Sequence, residues 1–98
     1  MTIKQKKEGK RTIVYINGRV DTSTAPELLE YLKTGMAGVE ELELDLSNVD
    51  YISSAGLRVI LYAQKVMSSQ GSMCVSHANS DIMDTFELTG FTEVLTII

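Results

Sequence analysis

The feature that most constrains this chain is the alternation of strand-like and helix-like segments along most of its length. Glu41–Leu46 places a leucine at every second position, which is typical of a strand with one buried face. Thr12–Ile16 is an earlier β-branched strand and Ser72–Ser76 is a later one, with helix-like segments between them. Parallel strands need crossover connections, and these are usually helices. We therefore predict an α/β fold with a mostly parallel central sheet and covering helices.

Turn and capping residues predict the remaining elements. Thr2–Lys7 is interpreted as an antiparallel edge strand, and Asn17-Gly18 is predicted to end the second strand. A first helix is expected to begin at Thr24, which has capping-box spacing to Glu27. The other predicted features are, in chain order, the end of the first helix near Gly35 or Gly38, a turn at Asn48 and Asp50, a helix from the serines at 53 and 54 to about Ser69, a short helix from Ser80 to Gly90, and a last strand from Glu93 to Ile98.

Length and composition fit one small soluble domain, which we place over residues 1–98. A hydrophobic share of 44% with 22% charged residues is typical of a chain that buries a core. The net charge of −4 argues against nucleic acid as a direct partner, because phosphate contacts need a basic patch. The sequence shows neither the apolar segment of a signal peptide nor an apolar run of roughly 20 residues. We therefore expect a cytoplasmic protein with no membrane partner.

The residue types do not indicate a metal site or a catalytic site. Cys74 is the only cysteine, so an internal disulfide is excluded, and its apolar neighbours favour a buried, inert thiol. His77 is the only histidine, which makes a metal site an unfavourable interpretation. No general base and no nucleophile-elbow motif accompany the serines. We expect no metal, no cofactor and no catalytic activity.

The segment Ser53-Ser54-Ala55-Gly56 joins a buried strand to the following helix. Either serine could act only as an N-cap, since capping is the usual role of serine before a helix. Helical spacing places one polar set, Ser54, Arg58, Leu61 and Lys65, opposite an apolar set that consists of Gly56, Val59, Ile60, Ala63, Val66 and Met67. The polar set combines a serine, two cations and an exposed leucine. A recognition face has this composition, and so does a solvated helix face.

The start of this helix is also suited to a phosphate. Unpaired backbone N–H groups and the positive end of the helix dipole stabilise an added anion. Arg58 lies one turn further on and could reach such a group. Gly56 would give a partner close access to the backbone in the first turn.

Three segments of the chain resemble the STAS domain of bacterial anti-sigma factor antagonists. The central one is Asp45-x-Ser47-x-Val49-x-Tyr51-Ile52-Ser53-Ser54-Ala55-Gly56-Leu57. The other two are Gly18-Arg19-Val20-Asp21 upstream and Phe86-Glu87-Leu88-Thr89-Gly90-Phe91 downstream. In that family the phosphorylated serine directly follows an Asp, which implies Ser54 as the acceptor here. Ser53 stands where the family often has that Asp. Asp21 matches a family acidic residue expected near the acceptor, where it would hydrogen-bond the serine or repel the phosphate.

The resemblance implies a phosphorylation switch rather than an enzyme, and a monomer is the simplest expectation for a switch whose helix face is reserved for a partner. The unphosphorylated protein would bind an anti-sigma factor, a serine kinase that carries the ATP, and would thereby release a sigma factor. Phosphate on Ser54 would switch this binding off, and a phosphatase would reset it. The implied partner-binding residues are Asp21, Ser53, Ser54, Gly56, Arg58, Leu61 and Lys65. Three alternatives stay open: an accessory subunit that docks in a lipid-transport or signalling-scaffold complex without phosphorylation, a stand-alone serine enzyme, and Ser53 as a competing acceptor.

Overall fold

A computed structural model describes all of residues 1–98 and contains one four-stranded sheet with three α-helices. The elements are β1 (Thr2–Glu8), β2 (Arg11–Val20), α1 (Ala25–Gly35), β3 (Glu41–Ile52), α2 (Ser54–Gln70), β4 (Ser72–Ser76), α3 (Ser80–Thr89) and a 3-10 turn (Phe91–Glu93). The strands follow the order β1-β2-β3-β4 in the sheet. β1 pairs antiparallel with β2, whereas the β2–β3 and β3–β4 pairs are parallel. The predicted fold class, a mostly parallel sheet with an antiparallel edge, is confirmed.

The core forms where the leucine face of β3 meets the helices. Leu42, Leu44 and Leu46 are at most 2% exposed. They belong to a cluster of 23 buried hydrophobic residues that includes the inner faces of α1 and α2. Burying each such side chain contributes about 1.5–3 kcal/mol before the entropic cost of folding. This packing therefore fixes the position of α2 against the sheet.

Two strands extend beyond the turn signals that were predicted to end them. β2 continues through Asn17-Gly18 to Val20, and the register of its pairing with β3 shifts around these residues. β3 runs through Asn48 and Asp50, where we predicted a turn, and ends at Ile52. The register shifts allow turn-forming residues to stay within a paired ladder, because a bulge absorbs the irregular backbone. Strand pairing thus overrides local propensity at the end of the sheet where α2 begins.

The predicted last strand is wrong for most of its length. Phe91–Glu93 form the 3-10 turn, and Ile97 makes only an isolated parallel bridge to Val75 of β4.

Cys74, on strand β4, is half-buried, and this burial raises the pKa of its thiol, which lowers its reactivity. None of the helices combines the length and the apolar composition that a membrane span requires.

Both ends of α2 are tied to the strands and loops around them. At its start, the Ser53 N–H donates to the carbonyl oxygen of Val20 at 2.8 Å. At its end, the Gln70 side-chain amide donates to the carbonyl oxygens of Met36 and Val39, in the loop between α1 and β3. The helix that carries the serines is therefore held at two distant points.

Candidate functional site

The two serines at the start of α2 have different environments. Ser53 is the N-cap, and its Oγ accepts a hydrogen bond from the Gly56 N–H at 3.3 Å. Ser54 is the first residue of the helix and is exposed, and its hydroxyl has no hydrogen-bond partner within the chain. The cap occupies the Ser53 oxygen and leaves the Ser54 oxygen accessible. An Asp at position 53 would cap the helix equally well, so the departure from the family pattern preserves this local role.

Asp21 orders the loop between β2 and α1. Its Oδ1 accepts from the Ser23 N–H at 3.0 Å, the Ser23 hydroxyl at 2.7 Å and the Thr24 N–H at 3.1 Å. The Thr24 hydroxyl accepts from the Asp21 N–H and donates to the Arg19 carbonyl oxygen, so the predicted capping box with Glu27 does not form. Hydrogen bonds from Ser23 and Thr24 lower the pKa of Asp21 to about 2. Asp21 is therefore charged at physiological pH.

The end of β2 brings Asp21 to the same edge of the molecule as Ser54. Each residue lies one position beyond the hydrogen bond that joins the Ser53 N–H to the Val20 carbonyl oxygen. No hydrogen bond links Asp21 with Ser54, so the structure does not show the first of the two roles predicted for Asp21. Its fixed negative charge is the property that the second role, repulsion of a phosphate, requires.

The polar face of α2 differs from the prediction at one position. Ser54, Arg58 and Lys65 are exposed as predicted, whereas Leu61 is half-buried. Leu61 follows the buried Leu57 by one turn, on a stripe of the helix that borders the core. The exposed hydrophobic residue on this side of α2 is instead its neighbour Tyr62, which is 37% exposed.

Gly56 is buried and faces the sheet rather than a partner. A Cβ at this position would lie 2.7 Å from Cγ1 of Val20 and 2.9 Å from Cγ2 of Ile52. Such distances are shorter than van der Waals contact, so only glycine allows α2 to approach the ends of β2 and β3 this closely. The expectation that Gly56 gives a partner access to the backbone is wrong. Its role at the site is to set the position of Ser54.

Beside Ser54, α1 and α2 enclose a groove of about 420 Å³. The α1 side of the groove is formed by Ala25, Pro26, Leu29 and Lys33, and the α2 side by Ala55, Arg58, Val59 and Tyr62. Its walls are largely apolar, with two cationic side chains and no acidic one. The groove forms only when α1 and α2 pack side by side, so helical periodicity in the sequence did not predict it.

Comparison with known proteins identifies the family. The anti-sigma-B factor antagonist of Listeria monocytogenes is 33% identical over 88 residues, which cover 86% of this chain and 75% of that protein. The family model described as "STAS domain" matches residues 2–98. This chain belongs to the STAS-domain family of anti-sigma factor antagonists. As predicted, it therefore falls in a family that acts by protein binding rather than by catalysis.

Solved structures of this family show the same fold. An anti-sigma factor antagonist from Mycobacterium paratuberculosis superposes with a TM-score of 0.91 at 22% identity, covering 98% of this chain and 83% of that one. The phosphorylated form of SpoIIAA, a Bacillus cell fate determinant, superposes with a TM-score of 0.75 at 10% identity, covering 99% of this chain and 91% of that one. Its unphosphorylated form gives a TM-score of 0.83. At these identities the likeness concerns the fold alone.

In this STAS domain an exposed aromatic residue lies next to the Asp21 loop. The Arg19 guanidinium carbon lies 4.4 Å from the ring centroid of Tyr51, which is 44% exposed. The Arg19 Nε lies 3.7 Å from Oδ2 of Asp21. Arg19 and Tyr51 pair across β2 and β3, so the sheet register places them together. Neither residue was predicted from the sequence to belong to the site, although both occur within the segments that resemble the family.

A second polar cluster of the STAS domain involves alternate residues of β3, Glu43 and Asp45, which point away from the leucine face. Glu43 accepts from Arg11 Nη1 at 2.9 Å and from the Ser76 hydroxyl at 2.7 Å. Asp45 Oδ2 lies 3.3 Å from Nδ1 of His77. The ligand atoms of Glu43, Asp45 and His77 lie within 4.8 Å of one another, but both Glu43 oxygens already have partners within the chain. These contacts offset the cost of burying two carboxylates.

The hydrogen bonds of Asp21 predict a pH-dependent contribution to stability. The folded-state pKa, about 2, lies below the ordinary value of 3.8. The contribution is therefore fully present above pH 4 and is lost as the pH falls through 2. We expect Asp21→Asn to lower the midpoint of urea unfolding at pH 6, and this difference from the wild type to become small as the pH falls to 2. The control is Asp50→Asn, at an exposed position of β3; an equal pH dependence in that variant would contradict the prediction.

Proposed function

We propose that the unphosphorylated protein binds an anti-sigma factor and that phosphorylation of Ser54 switches this binding off. The observation that carries the proposal is that the Ser54 hydroxyl is exposed and unpaired, whereas the Ser53 oxygen is occupied by the hydrogen bond that caps α2. The relatives named as anti-sigma factor antagonists support the kind of partner. SpoIIAA, which shares the fold, is known in phosphorylated and unphosphorylated forms, and this supports phosphorylation as the switch.

The proposed partner is a serine kinase that supplies the ATP. The Ser54 oxygen attacks the γ-phosphorus, its proton passes to a base of the kinase, and ADP leaves. Binding of the anti-sigma factor releases the sigma factor, and a phosphatase later hydrolyses the phosphate. In this proposal the protein acts in the cytoplasm as a monomer, with residues 1–98 as one functional unit.

The proposed binding surface surrounds Ser54. It includes the charged loop at Asp21 and the exposed side chains of Arg58 and Lys65 on α2. Ser53 and Gly56 act indirectly, since the first caps α2 and the second sets its distance from the sheet. Leu61 is half-buried and contributes an edge of apolar surface.

Site-specific mass spectrometry of the protein isolated from its own cells tests this proposal. We expect phosphate on Ser54, and we expect Ser54→Ala to lose it. Ser80→Ala is the matched control, because Ser80 is also an exposed first residue of a helix that follows a capping side chain. Phosphate on Ser53, or persistent phosphate in Ser54→Ala, would overturn the site. An absence of phosphate under all growth conditions, together with co-purifying transporter or scaffold subunits, would favour the docking alternative.

A further inference from the structure

The groove between α1 and α2 carries positive charge that nothing in the groove neutralises. Its two charged residues are Lys33 and Arg58, and its lining contains no carboxylate. Lys33 Nζ lies 3.9 Å from Oε1 of Glu30 on the exposed surface of its own helix, a weak pair in water. Arg58 forms no ion pair or side-chain hydrogen bond within the chain. An occupant of such a groove would combine an apolar body with a carboxylate.

Arg58 is also within reach of Ser54. The two residues are four positions apart on α2 and are both exposed, so their Cβ atoms lie about 5–6 Å from each other. Ala55, which directly follows Ser54, lines the groove. The guanidinium can therefore contact either a group in the groove or a group attached to the Ser54 oxygen, and one position excludes the other.

We propose that the groove receives an apolar side chain of the anti-sigma factor, that a neighbouring carboxylate of this partner pairs with Arg58, and that phosphate on Ser54 competes with this carboxylate for Arg58. The inference rests on the proposed function, because it assigns the groove to the same partner. Beyond that function, it names the chemistry of the partner segment and one residue through which the phosphate acts. Phosphate carries about −1.5 to −2 charges and binds arginine in a bidentate manner, so it pairs with Arg58 more strongly than a carboxylate does.

The volume of the groove agrees with this occupant. About 420 Å³ accommodates one aromatic or aliphatic side chain together with a carboxyl group. The apolar walls formed by Leu29 and Val59 would bury the hydrocarbon part, while Arg58 would pair with the carboxylate. A phosphate on Ser54 would pair with Arg58 and would thereby deprive the partner's carboxylate of its counter-charge, without itself occupying the groove.

Octanoate and octanol test the groove, because these probes share an apolar chain and differ in charge. We expect octanoate to shift the amide NMR signals of Ala55 and Val59 in the full chain. Arg58→Gln should weaken octanoate binding by about threefold to fivefold, as expected for a partly exposed ion pair. Octanol binding should not change. Lys4→Gln, which removes an exposed cation of β1 outside the groove and outside the proposed binding surface, is the control. Equal octanoate affinities of Arg58→Gln and the wild type, or shifts outside the groove, would overturn the proposed recognition.

Phosphorus NMR tests the competition on the full chain with phosphoserine incorporated genetically at position 54. We expect Arg58→Gln to raise the phosphate pKa, about 6 for free phosphoserine, by roughly half a unit, and Lys4→Gln to leave it unchanged. Phosphoserine should also reduce octanoate affinity to the level of Arg58→Gln. An unchanged phosphate pKa in Arg58→Gln would refute the competition. Neither measurement needs a kinase, so failure here leaves the cellular test of Ser54 phosphorylation unaffected.

Discussion

Gly71→Ala is expected to destabilise the fold by about 3 kcal/mol, at the upper end of overpacking costs. A Cβ at Gly71 would overlap the carbonyl oxygen of Glu40 and would lie 2.7 Å from its carbonyl carbon. These are backbone atoms, and they have little freedom to move. The Glu40 oxygen accepts from the Ser72 N–H at 2.9 Å, and the next residue, Glu41, pairs with β2 and β4. The added methyl group must therefore displace the end of α2.

Two glycines that lie within helices, Gly56 and Gly35, give substitutions against which the effect of Gly71→Ala can be compared. The Cβ of Gly56→Ala would meet side-chain methyl groups at 2.7 and 2.9 Å, so we expect a loss of about 1–2 kcal/mol. The Cβ of Gly35→Ala would meet Tyr31 at 3.4 Å, an ordinary contact, and there alanine should be neutral or stabilising by up to about 1 kcal/mol. Urea unfolding followed by circular dichroism measures all three. A Gly71→Ala protein as stable as Gly35→Ala would contradict the steric argument.

Phosphoserine at position 54 is expected to weaken binding of the anti-sigma factor by about a hundredfold or more. A like-charge contact or an unpaired charge within a desolvated interface costs several kcal/mol, and each 1.4 kcal/mol changes the Kd tenfold. The charge of Asp21 adds to this cost because that residue is ionised throughout the physiological range. Ser54→Asp should have a smaller effect, since it adds one charge instead of nearly two.

Isothermal titration calorimetry with the cognate anti-sigma factor measures this loss. Phosphoserine at position 80 is the matched control for charge at a helix start, because Asn79 caps α3 as Ser53 caps α2. We expect that control to bind the anti-sigma factor with unchanged affinity. An equal loss with phosphoserine at either position would show that net charge, rather than the surface around Ser54, determines binding.

The sequence correctly predicted the elements whose own pattern reflects a buried face. The prediction was wrong where pairing with a distant strand determines the backbone conformation. The leucines of β3 alternate because one face of that strand is buried, and this pattern depends on the strand alone. Asn48 and Asp50 carry a turn signal, but their segment pairs with the extended end of β2. No local pattern contains that information, since the partner strand is about 30 residues away. The missing last strand has the same cause, because a single bridge to β4 does not form a ladder.

The residues of the candidate site that lie on a single helix were predicted from the sequence. The residues that two elements bring together were missed. Ser54 and Arg58 follow from the spacing of α2 alone. Arg19 and Tyr51 meet through the register of two strands, and the groove through the packing of two helices. Gly56 shows a further limit of the sequence. A glycine can provide access for a partner or close packing for its own chain, and only the neighbouring atoms distinguish these roles.

The anchoring of α2 at both ends determines what form a phosphorylation signal can take. Its start is hydrogen-bonded to the end of β2, and its last side chain holds the loop before β3. We expect a helix fixed in this way to keep its position when one surface oxygen gains a phosphate. Under the proposed function, the phosphorylated and unphosphorylated states would therefore share one backbone and differ in surface potential. In the proposed switch, the signal would consist of added charge alone, and it would last until the phosphate ester is hydrolysed.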